Sequence, residues 1–444
     1  MKQTKQNGNI VAIVMMIFLF AMISFVTNLA APMGVVLKNQ FHLGNSAGML
    51  GNFMNFAAYL FFGIAAGKLL TKKGYRITAL IAVGIGFTGI GIQYLSGRSS
   101  TIEATIFSLP ASFFIYLLGA FIAGISVCML NTVVNPMLNT LGGGGNKGNQ
   151  LIQIGGSFSS LSATITPMLV GALIGEAAKA NIKDVFPVMY IALGVFALTF
   201  VILNLVKIPE PGLDERKKRY VEKGIKEKYS VWSFRHFVLG VIAIFIYMGN
   251  EIGIPATLNL FLADPDAGTG LNPATAAATA GFVAGTYWLL MLIGRFIGGS
   301  VGHKVSSKTM LAVTSMVGIV FISAAMIAPV SFQASMPVFT GSGFEITSVP
   351  IAALFLVLCG LCTSIMWGGI FNLAVEGLGK YVEEASGIFM MMVVGGGILP
   401  LVQSGIADRV SYISSYWVPL LGFAYLLFYA FIGSKNVNKN ISVK

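Results

Sequence analysis

The sequence predicts an all-α integral membrane protein, with twelve transmembrane helices in two pseudo-symmetric six-helix bundles. Three observations carry that reading. Of the 444 residues, 56% are hydrophobic and 10% are charged, whereas a soluble domain averages about 25% charged residues. Twelve apolar stretches approach or exceed the roughly 20 residues that a helix needs to cross a bilayer. Basic residues crowd into alternate connecting segments, as they do when positive charge is retained on one side of a membrane. The mean hydropathy of +0.82 agrees.

The expected spans, numbered one to twelve, are 10–37, 47–70, 77–97, 111–140, 151–175, 186–207, 236–262, 278–301, 309–329, 349–375, 386–406 and 413–434. Each must be helical, because an open strand edge in lipid leaves backbone groups unpaired. Met1–Asn9 precede an apolar run longer than the 7–15 residues or so of a signal-peptide core, so the first run is expected to stay as span one. With the N-terminus inside, 22 of the 28 Lys and Arg fall in cytoplasmic segments and five outside, which places both termini in the cytoplasm. The charged stretch Glu210–Arg235 divides the chain into residues 1–207, a cytoplasmic linker 208–235, and residues 236–444. The linker's run Asp214–Arg219 reads as a topology-setting loop, with anionic lipid headgroups as a possible contact.

The formal net charge of +12 follows from that one-sided distribution, so no nucleic-acid partner is expected. Cys359 and Cys362 have the spacing of a redox or metal pair, but no second pair or nearby His completes it. They and Cys128 read as small hydrophobes. Gly142–Gly145 lacks the Gly-Lys-Ser/Thr ending of a phosphate loop. His42, His236 and His303 lie apart, so neither a metal nor any other cofactor is expected.

An internal repeat supports the division. Gly67-Lys-Leu-Leu-Thr-Lys-Lys-Gly-Tyr-Arg76 follows span two, and Gly299-Ser-Val-Gly-His-Lys-Val-Ser-Ser-Lys308 follows span eight, 232 positions later. Spans four and ten correspond at an offset of 236 between Gly124 and Gly360. Parallel six-helix repeats about an axis along the membrane normal are the layout of major facilitator transporters. Both loops resemble that superfamily's glycine-and-basic loop motif, with Thr71 and His303 where it carries an acid. Gly67, Arg76, Arg295 and Gly299 are the candidate gating residues.

Further stretches are similar to one branch of that superfamily. They are Gly294-Arg-Phe-Ile-Gly298, Ser364-Ile-Met-Trp-Gly-Gly-Ile-Phe-Asn-Leu-Ala-Val-Glu-Gly-Leu-Gly379 and Val394-Gly-Gly-Gly-Ile-Leu-Pro400, with weaker echoes at Asn28-Leu29, Asn131-Thr-Val-Val-Asn135-Pro136 and Gly249-Asn-Glu-Ile-Gly253. They resemble the bacterial fucose-proton symporter and glucose/galactose transporter family, over nearly the whole chain. The resemblance implies a hexose or 6-deoxyhexose carried across a bacterial inner membrane, driven by a cation gradient. This chain has Ala31 and Asn131 where the family's fucose carriers place acids in helices one and four. Coupling has therefore either moved or been lost.

Ionisable groups inside hydrocarbon are costly, about 2.5–3.5 kcal/mol each on insertion scales, so each needs a reason. Of the sixteen acidic residues only Glu251 falls in mid-bilayer, about 22 Å of helix from the inner end of span seven. A proton carrier needs a site that disfavours its charged form, and this depth provides one. Proton coupling and acceptance of sugar hydroxyls both fit Glu251. The structural alternative is a carboxyl bonded to neighbouring backbone at a helix break near Gly253 and Pro255. Arg295, about two turns from the inner end of span eight, either snorkels to the interface or serves as an ion-pair partner that switches between conformations.

Sugars are held by amides and carboxylates on their hydroxyls and by an aromatic face on their C–H side. The candidate substrate-binding residues are Asn28, Asn55, Asn131, Asn135, Ser159, Glu251, Trp288, Trp367 and Asn372. Any membrane amide has helix gluing as its alternative role. Trp367 corresponds to Asn131 under the 236 offset, so an indole and an amide are expected to face each other across the centre. The alternative for Trp367 is ordinary packing.

The expected activity is secondary active import of a monosaccharide by alternating access, with a co-transported cation, the proton favoured, in a monomer surrounded by lipid. The alternative within transport is an uncoupled or sodium-coupled sugar facilitator of the same fold. A membrane enzyme would need clustered acid, base or metal groups, which one lone carboxylate does not supply. A nutrient sensor is the remaining, remote alternative.

Overall fold

A computed structural model describes residues 2–41, 43, 45–98, 105–106, 109–143, 145–174, 182–206, 208–210, 213, 229–272, 275–302, 304–341, 343–438 and 440–441. The linker run Asp214–Arg219, His303 and the side chain of Ala31 lie outside the described residues. Each expected span falls mainly on helix, although 349–350 of span ten are strand and span nine ends at Ile327. Span one is Lys2–Phe41, and spans two and three are the two arms of Leu50–Arg98. Span four is Ala111–Leu141, span five Gly145–Ile174 and span six Phe186–Leu205. Span seven is Arg235–Ala263, span eight Ala276–Val301 and span nine Ser307–Ile327. Span ten is Ile351–Thr363 plus Met366–Val375. Span eleven is Val382–Met391 running through a 3₁₀ turn into Gly395–Arg409, and span twelve is centred on Trp417–Phe428.

Among the described residues, ten helices are long and apolar enough to cross a membrane, with Leu50–Arg98 counted once and span five, Gly145–Ile174, not among them, against the twelve expected. That helix divides at Gly74, whose φ of 84° is left-handed. Only glycine adopts this conformation without a Cβ penalty, and a Cβ there would also strike the Glu210 carboxylate. The same carboxylate caps the new helix start, accepting from the amides of Tyr75 at 2.8 Å and Arg76 at 2.9 Å. Arg76 reciprocates, donating to the last carbonyls of span six at Leu203 (3.1 Å) and Asn204 (2.6 Å). An acid on a helix N-terminus and a base on a C-terminus each complement the macrodipole.

Span one packs on span five, and span four lies against the arm pair of spans two and three. In the second half, span seven packs on span eleven and span eight on span ten. Across the halves, span two meets span eleven and span five meets span eight. The first crossing is close, because a Cβ on Gly63 would lie 2.8 Å from the Met391 amide nitrogen. The exposed side chains around the bundle are apolar, including Phe61, Leu198, Phe296, Val320 and Leu421. That is the reverse of a water-facing surface, as lipid requires.

Among the described residues, two departures from a plain bundle matter below. Between spans nine and ten a β-hairpin pairs Gln333–Phe339 with Phe344–Pro350, from Gln333↔Pro350 at its base to Phe339↔Phe344 at its tip. Span seven continues through Pro255 where a break was expected. A proline removes the hydrogen bond to the carbonyl four residues earlier, which here is that of Glu251, and the Tyr287 hydroxyl replaces it at 3.3 Å.

Replacing Glu210 with Ala is expected to cost about 0.5–2 kcal/mol, the usual cost of a lost helix cap. Gly74→Ala is expected to cost at least as much. Thermal unfolding of the purified variants in one detergent tests both, and unchanged midpoints would contradict the clasp.

Candidate functional site

The interior charges find each other. Arg295 Nη2 lies 3.1 Å from Glu251 Oε1, and both residues are buried, at 9% and 7% exposure. By helix rise alone Glu251 lies about 13 Å farther from the linker side than Arg295. The direction of the side chains helps to close that gap. Helical side chains lean toward their own N-terminus, and spans seven and eight run antiparallel. Glu251 therefore leans down and Arg295 leans up. Snorkelling, the structural reading of Arg295, does not occur.

The guanidinium donates to three more groups. Nη1 donates to the Gly156 carbonyl at 2.6 Å and the Ser160 hydroxyl at 2.8 Å, both on span five. Nε donates to the Ser364 carbonyl at 3.1 Å, on span ten. Ser364 stands where span ten interrupts its helix between Thr363 and Met366. The planar fork of arginine suits such a set, since its donors diverge in fixed directions. Arg295 thus joins spans seven and ten of its own half to span five of the other.

A polar and aromatic layer surrounds this pair. Tyr287 shares a hydrogen bond with Thr363 at 2.8 Å. Tyr247 lies one turn before Glu251, fully buried, with its hydroxyl turned to the Glu251 carboxylate and the Arg295 guanidinium. Its ring centre is 6.3 Å from that of Trp367, which in turn meets Phe389 edge-on at 6.1 Å. The Trp367 indole donates to Asn135 Oδ1 at 3.2 Å. The expected pairing of indole and amide across the halves is therefore present, with Asn135 rather than Asn131 as the amide.

The other sequence candidates divide. Asn131 donates to the Tyr59 hydroxyl at 2.7 Å, and Asn135 donates to the Asn131 carbonyl at 2.9 Å, so spans two and four are tied at this level. Asn55 is buried with an unpartnered Oδ1. Asn28 bonds back to Ser24 in its own helix. Ser159 is half-buried beside Ser160, and Trp288 stacks edge-on against Tyr287 at 5.4 Å. Asn372 lies near the inner end of span ten, where it donates to Ser307 at 3.1 Å, apart from the Glu251–Arg295 pair. Of the gating candidates, Gly299 accepts from Gln150 at 3.3 Å across the halves, and Gly67 faces Gly387 of span eleven. Ser160, Ser364, Tyr247, Tyr287 and Glu210 escaped the sequence reading. A hydroxyl one turn from a mid-membrane acid, as at Tyr247, is the sort of signal that could have marked one of them.

The model of the Major Facilitator Superfamily matches residues 13–400. The chain is 31% identical over 440 residues to a glucose/galactose transporter of Brucella abortus biovar 1 (strain 9-941), covering 96% of this chain and 94% of that protein. It is 28% identical over 449 residues to a putative glucose/galactose transporter of Helicobacter pylori (strain ATCC 700392 / 26695), covering 97% and 98%. It is also 23% identical over 435 residues to the L-fucose-proton symporter of Escherichia coli (strain K12), covering 93% and 90%. Among solved structures, it resembles a major facilitator transporter, FucP, in the outward conformation, with a TM-score of 0.70 and 18% identity, over 97% of this chain and all of that one. The xylose transporter XylE of E. coli, in a partially occluded inward-open conformation, gives a TM-score of 0.69 at 12% identity, over 96% and 99%.

Truncating Arg295 to Ala strands the buried Glu251 charge and is expected to cost about 3–5 kcal/mol, the usual penalty for breaking a buried ion pair from one side. Removing both charges, as Glu251→Gln with Arg295→Met, is expected to recover part of that loss. A double-mutant cycle on thermal stability reads the coupling, and strictly additive losses would show that the two groups do not act as a pair.

Proposed function

The chain belongs to the Major Facilitator Superfamily, and on that premise we propose that it imports a monosaccharide, a hexose or 6-deoxyhexose, across a bacterial inner membrane by alternating access. Residues 1–207 and 236–444 act as the two rocking bundles, joined by the 208–235 linker. Protons are the coupling ion, and Glu251 is the group that exchanges them. The names of the glucose/galactose and fucose-proton relatives support the substrate class.

The observation that carries the mechanism is the double engagement of Arg295, which holds Glu251 on one side and Gly156 and Ser160 of the opposite half on the other. Any change in the charge of Glu251 alters the balance of those bonds. The ionisation of one acid is thereby joined to a contact that must break when the halves part. Asn135 and Trp367 supply an amide and an aromatic face at the same interface, the two elements of sugar recognition. A sugar that takes over the indole bond would loosen a second tie between the halves. Binding and rearrangement then share the same side chains.

The absence of an acid at Asn131 favours one rival, an uncoupled facilitator. Glu251→Gln in proteoliposomes separates the two readings. Loss of sugar accumulation under an imposed pH gradient, with counterflow retained, is the result expected for coupling through this carboxyl. Undiminished accumulation would remove Glu251 from that role, and a parent protein that shows counterflow but never accumulation would favour the facilitator. A competition panel of monosaccharides should give its strongest inhibition with a hexose or 6-deoxyhexose. Trp367→Ala should weaken that inhibition far more than Trp367→Phe, which keeps the aromatic face.

A further inference from the structure

The β-hairpin between spans nine and ten has no part in the proposed transport cycle, and its position is unusual. Its base is anchored where Gln333 Nε2 donates to the Thr269 carbonyl at 3.0 Å, in the segment joining spans seven and eight. Near its tip, the Phe339 amide donates to Thr286 Oγ1 at 3.0 Å. Thr286 is ten residues inside span eight, about 15 Å below its first turn at 1.5 Å per residue. The strands therefore run back along the span instead of projecting away from it.

The side of span eight that they cover is the lipid side. Ile293, Phe296 and Ile297 are 42%, 54% and 56% exposed, whereas Tyr287, Met291 and Gly294 face the protein. Thr286 is seven residues before Ile293, hence only about 20° away around the helix, yet it is 5% exposed. The hairpin supplies the cover. Its inner face buries Met336, Val338 and Val349.

Its outer face is graded. Directly paired residues share a face of an antiparallel ribbon, and on this face the pairs are Ser335↔Ser348, then Pro337↔Ile346, then Phe339↔Phe344 at the tip. Hydroxyls sit near the base and apolar groups at the tip, with Ile346 at 72% and Phe344 at 63% exposure. On the edge that meets span eight the described backbone is satisfied: Thr340 donates its amide to the Gly343 carbonyl at 3.0 Å, Phe339 has Thr286, and Pro337 carries no N–H. The opposite edge, which carries the Phe344 and Ile346 amides, stays within reach of interfacial water, because an open strand edge has no place in the hydrocarbon itself. Exposed Glu345 limits the depth, because a charged carboxylate is costly in hydrocarbon and keeps the tip near the headgroup boundary.

We propose that this hairpin is a membrane-embedded element, its tip inserted side-on into the leaflet opposite the linker, with phospholipid acyl chains covering Ile346 and Phe344. The occupant is lipid because the patch continues the exposed apolar belt of spans eight and nine, from Phe296 and Val320 to Ile327, which is 82% exposed. The hairpin thereby widens the second half's grip on the bilayer and holds the outer part of span eight.

Site-directed spin labelling in phospholipid vesicles tests this without reference to transport. Cysteines replace Phe344, Ile346, Ser335 and Ser348 one at a time, against a parent whose Cys128, Cys359 and Cys362 are all buried. Each labelled protein must first elute as a single monodisperse species. The expected result is a positive depth parameter at 344 and 346, where oxygen collides more often than a water-soluble nickel chelate, and a negative one at 335 and 348. A nickel collision rate at 346 equal to that at 335 would place the tip in water and overturn the proposal. Exclusion of both reagents at 344 and 346 would also overturn it, because a second protein copy would then be the cover.

Discussion

A guanidinium that cannot be deprotonated, placed where water is scarce, must have its donors met by protein. The structure around Arg295 is organised by that requirement. Glu251 meets it with a charge, Gly156 and Ser364 with carbonyls, and Ser160 with a hydroxyl. A helical carbonyl already accepts from the amide four residues on and has one lone pair left, which is what Gly156 offers from within span five. Span ten presents its acceptor where its helix is interrupted beside Ser364. Span seven uses Pro255 in the opposite sense, releasing the Glu251 carbonyl to the Tyr287 hydroxyl. That bond helps fix Tyr287 and, through it, the layer beneath.

The same physics is applied at the inner edge with cheaper parts. Arg76 and Glu210 satisfy the open ends of two helices reciprocally, one capping the end of span six and the other the start of span three. Near water such contacts are weak individually. They tie a left-handed glycine turn, the end of span six and the start of the linker into one unit. Charges at the rim therefore brace one half, whereas the interior charge joins two halves. In the proposed cycle that difference places the mechanistic weight on Arg295 rather than on the loop that resembles the superfamily motif, which has Thr71 at the acidic position.

Much of the architecture was legible because each feature that encodes it is local. An apolar run of about twenty residues determines a crossing by itself, and Glu251 stands out because it is an acid inside such a run. Gly74 falls between two runs, although nothing in the sequence says that Glu210, 136 positions away, will cap the turn. The partner of Arg295 was not legible, because it depends on two antiparallel helices whose side chains lean in opposite directions. Nor was the interruption of span ten, where no proline stands between Thr363 and Met366. Asn372 is a sugar-ligand candidate by residue type and by its place in the family-like stretch, with helix gluing as its alternative. Its place three residues before the end of span ten, next to Ser307 of span nine, shows why residue type without depth misleads. Trp367 was placed opposite an amide by the repeat, and the error of one turn, Asn135 in place of Asn131, is the size of uncertainty that an offset between diverged repeats carries.

A neutral residue at Asn131 simplifies the electrostatics of the proposed cycle. With a second carboxylate on span four, Arg295 would have two charged partners and could exchange one for the other as the halves move. Here Asn131 is neutral and already occupied with Tyr59. Glu251 is the counter-charge at hand, so its ionisation and the position of Arg295 are thermodynamically one variable. Protonating the acid leaves the guanidinium with only neutral acceptors, and two of those, Gly156 and Ser160, belong to the half that moves away. By reciprocity, whatever stabilises the separated halves must favour one protonation state to the same extent that protonation favours separation. A sugar whose hydroxyls replace the lost acceptors would supply that stabilisation. Proton and sugar then need no direct contact to be coupled, since each acts on the same arginine.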